Sequence, residues 1–158
     1  MIGQAKDLIT SAKAMGLILK KDHWKNPPQA KALVLGCGGA GTAIIEQLAS
    51  GMEGSIQKEI TGLESNSERL EKVKNDLKES KNLILEQSDL SGKAAAEIMD
   101  RLPPQSLIVN ATGMGKDLPG SPIPAGTEFS KQGIVWELNY RGSLEFYNQA
   151  RKQESKRK

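Results

Sequence analysis

Residues 33 to 43, Leu33-Val34-Leu35-Gly36-Cys37-Gly38-Gly39-Ala40-Gly41-Thr42-Ala43, run apolar, break into four glycines within six positions, and resume in helix-forming residues. Such a junction constrains the whole chain, because an extended apolar strand must end in a tight turn that opens a helix. In a doubly wound sheet the amides of that turn, with the positive end of the helix, face an anion. Three chemistries use this arrangement: dinucleotide binding, methyl transfer from a sulfonium cofactor, and triphosphate binding.

The glycines divide the work. Gly36 allows the turn, Gly38 lets a pyrophosphate approach the backbone without a clashing Cβ, Gly41 allows close packing of helix on strand, and Gly39 adds clearance. A nucleotide phosphate seat of this kind comprises Gly36, Cys37, Gly38, Gly39, Ala40 and Gly41. A triphosphate site also needs Gly-Lys-Ser/Thr after the turn, which is absent. The methyltransferase turn usually has an acidic residue two positions before its first glycine, where Val34 stands, and glycines at alternate positions, a pattern that Ala40 breaks. A dinucleotide site needs an acidic residue at the end of the next strand to accept hydrogen bonds from the ribose hydroxyls. Glu64 lies 23 residues after Gly41, close to the ~20 expected. Its carboxylate favours NAD by repelling a 2′-phosphate, while Arg69 and Lys72, one turn on, could receive that phosphate. The plainer role for Glu64 is to cap the helix beginning near Ser67.

The rest of the chain alternates in the same way. Ala5, Leu8, Ile9, Ala12, Met15 and Leu19 predict a helix over residues 3 to 19, followed by a polar linker to Pro27-Pro28. Strands are predicted at Lys31 to Gly36, Ile56 to Leu63, Asn82 to Glu86, Ser106 to Asn110 and Gly133 to Leu138. Helices are predicted at Ala40 to Ser50, ended by Gly51 and Gly54, then Ser65 to Leu77, Lys93 to Leu102 and Ser143 to Lys152. Gly113 to Phe129 is a long loop of the kind that carries function. The pattern predicts an α/β fold, a Rossmann-like doubly wound parallel sheet of about five strands in three layers. Residues 1–30 form a connecting helix and linker, 31–152 the binding domain, and 153–158 a disordered basic tail.

Composition narrows the class. The chain has 158 residues, 37% hydrophobic and 26% charged, the size of one domain with a real core. No apolar run approaches the ~18 residues of a membrane span and no signal peptide opens the chain, so a cytoplasmic protein with no membrane role is expected. One cysteine and one histidine argue against a zinc site. The net charge of +3 is concentrated in Arg151, Lys152, Lys156, Arg157 and Lys158. No aromatic residue interleaves with them, which argues against nucleic-acid binding.

Three segments together resemble the cofactor domain of shikimate dehydrogenases. Leu35 to Gly41 is similar to the family's Gly-Ala-Gly-Gly-Ala turn. Ile108-Val109-Asn110-Ala111-Thr112-Gly113-Met114-Gly115 resembles its Asn-Ala-Thr strand end and Gly-Met loop, followed by Ser121-Pro122-Ile123-Pro124. Val135-Trp136-Glu137-Leu138-Asn139-Tyr140 is similar to its Val-Tyr-Asp-x-x-Tyr strand. The resemblance implies an NAD(P)-dependent oxidoreductase of aromatic amino acid biosynthesis, reducing 3-dehydroshikimate to shikimate. It implies that Asn110, Ala111 and Thr112 border the ribose and nicotinamide, that Leu138 packs on the nicotinamide, and that Tyr140 faces the substrate. The residues themselves leave plainer roles open: Asn110 fixing its loop, Leu138 as core, Tyr140 as a surface ring.

There are departures. Glu64-Ser65-Asn66 replaces the Asn-Arg-Thr of NADP-using members, the loop after Thr112 is a residue shorter, and Gly142 stands where proline is frequent. The family's catalytic lysine and aspartate lie in an amino-terminal substrate domain, and Met1-Ile2-Gly3 corresponds to the position just after that aspartate. The family's final glutamine-bearing helix has no counterpart either. The expectation is a cofactor domain that binds NAD or NADP, holds no catalytic residue of its own, and meets a shikimate-type substrate only with a further domain; the alternatives are a stand-alone nucleotide-binding regulatory module and, ranked below it, a methyltransferase using S-adenosylmethionine. An exposed sheet edge suggests a homo-oligomer. Cys37, near a helix amino terminus, is either a thiol of lowered pKa or simply a small residue in a tight turn. His23 and the pair Lys116 and Asp117 are expected to be surface groups.

Overall fold

The structure is a computed structural model that describes residues 13–20, 22–25, 29–51 and 59–157. Residues 3–12 of the predicted first helix, Pro27-Pro28, Gly54, the first residues of the predicted second strand (56–58) and Lys158 lie outside the described residues.

The described elements are α1 (residues 13–18), β1 (Ala32–Leu35), α2 (Gly39–Ser50), β2 (Ile60–Glu64), α3 (Ser67–Asp76), β3 (Leu83–Gln87), α4 (Lys93–Asp100), β4 (Leu107–Asn110), β5 (Ile134–Glu137) and α5 (Glu145–Arg157). The five strands form one sheet in the order β3-β2-β1-β4-β5, with every pairing parallel. The predicted doubly wound sheet is therefore the observed fold.

Alternation along the central strands sends side chains to two cores. Ala32 and Val34 join Met15, Ile44, Ile45, Leu48, Val73 and Val109 under α1, α2 and α3. Leu33 and Leu35 join Ala95, Met99, Ile108, Phe129 and Phe146 under α4 and α5. Helices thus cover both faces, which is why β1 and β4 read as unbroken apolar runs. The chain passes from one side of β1 to the other between β3 and β4. The connections that leave the carboxyl ends of β1 and β4 therefore turn to opposite faces of the sheet and leave a crevice between them, where open sheets of this kind bind ligands.

Some boundaries differ from the sequence expectation for physical reasons. Among the described residues β2 runs from Ile60, the partner of Ala32, the first residue of β1, to Glu64, one residue beyond the expected end. α3 begins at Ser67 because Asn66 caps it, its Oδ1 accepting from Arg69 N at 2.8 Å. The largest difference is at the carboxyl end, where α5 continues to Arg157 through most of the segment expected to be a disordered tail. Gln153 anchors it: Oε1 accepts from Phe129 N at 3.0 Å, and Nε2 donates to Thr127 O. His23 is not a free surface group either. It is half-buried, its Nε2 donates to Gln105 O at 3.0 Å, and it meets Trp24 edge-on.

Candidate functional site

A cleft of about 280 Å³ opens at the carboxyl edge of the sheet, across the β1/β4 switch point. Four of the five strand ends contribute: Leu35, Gly36 and Gly38 at the end of β1, Leu63 to Ser65 at the end of β2, Ser88 to Leu90 and Gly92 after β3, and Ala111 to Met114 after β4. Arg69, Ala95, Leu118 and Pro122 complete the wall. A second depression of about 460 Å³ between α2 and α3 shares Gly38 and Arg69 with the cleft and adds Gly39, Thr42 and Lys72. An extended ligand can therefore pass over Gly38 and occupy both.

The glycine turn is built for close approach. Gly36 has φ +90°, and a Cβ there would lie 2.9 Å from the Ala111 carbonyl carbon and oxygen. A Cβ on Gly41 would run into the Gly36 carbonyl oxygen. These contacts seat α2 against β1 and β4, as expected from the sequence. Gly38 is different: a Cβ there would find nothing within 4 Å. Its backbone faces open space at the start of α2, where Gly39 and Ala40 are exposed.

Glu64 stands at the predicted strand end, but its carboxylate faces inward. It is 3% exposed. Oε2 accepts from Cys37 N at 2.9 Å and Oε1 from Asn66 N at 2.9 Å. Arg69 Nη1 lies 3.3 Å and 3.5 Å from the two oxygens. Burial pushes this carboxyl up, but the two backbone N–H groups and the Arg69 charge outweigh it and hold its pKa below the usual range. The helix cap that the sequence allowed as the plainer role for Glu64 belongs to Asn66.

Burial also decides Cys37. The thiol is 1% exposed, and desolvation, with Glu64 adding to it, pushes its pKa up to about 12. The small-residue reading holds, and helix-terminal activation is overridden by burial.

On the β4 side, Asn110 is fully buried. Its Nδ2 donates to Glu137 Oε1 and Oε2 at 3.1 Å and 3.0 Å, and its Oδ1 accepts from Thr112 N at 3.1 Å and Thr112 Oγ1 at 2.7 Å. Thr112 Oγ1 in turn accepts from Met114 N at 3.1 Å. Asn110 thus fixes the loop, while Ala111 and Thr112 present themselves to the cleft. Glu137 has its pKa raised by burial, against the bonds it accepts from Asn139 N and Asn110.

Two residues that the resemblance placed at the ligand are not part of this cleft wall. Leu138 is half-buried against the α1/α2 core and does not line the cleft. Tyr140 is 80% exposed, flanked by Lys116 Nζ at 5.3 Å and the Arg141 guanidinium at 5.9 Å from its ring centroid. Asp117 pairs with both cations, at 3.3 Å and 3.5 Å. Conversely, Ser65, Ser88, Asp89, Leu90 and Leu118 line the cleft without having been singled out in the sequence. The signal for three of them was positional: Ser88, Asp89 and Leu90 directly follow the third strand, at the sheet edge that binds ligands.

Neither a protein-family model nor a curated protein matches the sequence. Solved structures do match. The crystal structure of an Ael1 enzyme from Pseudomonas putida superposes with a TM-score of 0.56 at 20% identity, over 88% of this chain and 47% of that one. In fold, the chain is similar to that enzyme. Galactitol-1-phosphate dehydrogenase from Escherichia coli also matches, with a TM-score of 0.38 at 16% identity, over 78% of this chain and 42% of that one. The chain spans about half the length of the solved structures it matches. Among the described residues, no helix is long and apolar enough to cross a membrane.

Proposed function

We propose that this chain is the nicotinamide-dinucleotide-binding domain of a shikimate dehydrogenase-like oxidoreductase. The observation that carries the reading is the open backbone at Gly38, at the head of α2, flanked by the switch-point cleft on one side and the α2/α3 depression on the other. A diphosphate fits that position, since the helix terminus favours an anion and no Cβ blocks its approach. The three segments that resemble the shikimate dehydrogenases support the same assignment, and two of them, at the ends of β1 and β4, meet at one crevice.

On this reading Gly38, Gly39 and Ala40 hold the pyrophosphate. Ser65 and Arg69 lie toward the adenosine ribose, with Leu90 and Pro122 as apolar walls for the adenine. Ala111 and Thr112, held in place by Asn110, border the nicotinamide ribose. The bound dinucleotide supplies the hydride chemistry, and the substrate is a cyclic ketone of the dehydroshikimate type. Titration with NADH, NADPH and S-adenosylmethionine tests the assignment, following nicotinamide fluorescence and calorimetric heat. Heat and a fluorescence change with a reduced dinucleotide are expected, and none with the sulfonium compound. Binding of S-adenosylmethionine alone would reject the proposal.

A further inference from the structure

Resting on that reading of the cleft, we propose that Glu64 is a positioning residue for the pyrophosphate seat rather than a reader of the ribose hydroxyls, with Arg69 as the counter-charge that lets a buried carboxylate sit beside a bound anion. The Cys37 peptide, which leads into Gly38, is gripped from both sides. Its N–H donates to Glu64 Oε2 at 2.9 Å, and its carbonyl accepts from Thr42 Oγ1 at 3.0 Å. The other carboxylate oxygen holds Asn66 N, so one side chain ties the glycine turn to the start of α3.

A carboxylate offers about four lone-pair directions. Cys37, Asn66 and Arg69 already draw on them, and the group is 3% exposed. A ribose diol arriving from the cleft meets Ser65 and Arg69 at its surface instead. The charge argument points the same way. An unscreened carboxylate bonded to the turn that seats a phosphate would repel the ligand. The Arg69 guanidinium, bordering both depressions, offsets that charge while keeping a half-exposed face toward the ligand.

The two roles predict different ligand dependence. The 2′-hydroxyl is present in NADH and carries a phosphate in NADPH, so loss of a ribose reader changes the ratio of the two affinities. Loss of a positioning residue weakens both alike. Glu64→Gln preserves shape but sets an N–H against one of the two backbone N–H groups. In the full chain it is expected to weaken NADH and NADPH each by about tenfold with their ratio unchanged. Without ligand, it should speed amide exchange at Cys37 by a similar factor. Selective loss of NADH, or unchanged affinity for both, would overturn the proposal. For NADH, Arg69→Ala is expected to cost more in the wild-type background than in E64Q, and equal losses would remove the counter-charge role. If the wild-type chain takes up neither dinucleotide, the proposed function fails, and the Cys37 amide decides separately: faster exchange in E64Q supports positioning of the turn, unchanged exchange rejects it.

Discussion

The side-chain amide nitrogen of Asn110 lies 3.1 Å and 3.0 Å from the two carboxylate oxygens of Glu137, bridging the carboxyl ends of β4 and β5. The same Asn110 holds Thr112 through its oxygen, so one buried amide couples the neighbouring strand to the cleft wall. Asn110→Ala leaves a carboxylate and a hydroxyl short of partners and is expected to cost roughly 1–3 kcal/mol in chemical denaturation. Asn110→Asp keeps the shape but places a second carboxylate against Glu137. Its deficit should shrink as pH falls and the pair takes up a proton. A deficit that stays constant with pH would show that Asn110 and Glu137 are not coupled.

Glu64 and Glu137 should pull stability in opposite directions with pH. The folded pKa of Glu64 is lowered, so its contribution is present above the unfolded value of ~4.3 and is lost as pH falls through the folded value. The folded pKa of Glu137 is raised, so its contribution is present below that unfolded value and is lost as pH rises through the folded one. Melting curves from acid to neutral pH should therefore lose a rising slope in Glu64→Gln and a falling slope in Glu137→Gln. Same-sign changes in the two variants would contradict the two environments.

The layer order, the parallel sheet and the glycine turn were legible because they depend on local signals: apolar runs, helical spacing, and glycines where backbone approaches backbone. The direction of the Glu64 side chain was not. Spacing from Gly41 places the residue at the sheet edge, but whether its carboxylate faces ligand or turn depends on Cys37 N and Asn66 N being in reach, which only the folded chain decides. The length of α5 was hidden for a similar reason. Its polar sequence reads as a tail, and the bonds from Gln153 to Phe129 and Thr127 span more than twenty residues. Tyr140, which the motif marks as substrate-facing, stands 80% exposed among Lys116, Asp117 and Arg141, an environment that its motif does not reveal.

Cys37 should be inert in the folded chain. With a pKa of about 12 and 1% exposure, roughly one thiol in ten thousand is ionised at pH 8, and none presents itself to solvent. Labelling by a disulfide reagent should proceed only at the rate of opening or global unfolding and should rise with denaturant. Rapid stoichiometric labelling of the native protein would mean that the turn is open at Cys37.

The glycine turn separates folding from binding in a way that alanine substitution can read. At Gly41 a methyl group collides with the Gly36 carbonyl oxygen, and neither backbone can yield without moving α2 off β1. Gly41→Ala is expected to lose roughly 3 kcal/mol or more of stability. At Gly38 the backbone is ordinary, with φ −71°, and the methyl group enters open space. Gly38→Ala should stay within about 1 kcal/mol of the parent. On the proposed function the space it fills is the space of the pyrophosphate, so dinucleotide affinity should fall by at least about tenfold in a protein that remains folded. Paired denaturation and NADH titration check both. A Gly38→Ala variant that binds as the wild type does would move the phosphate seat away from the head of α2.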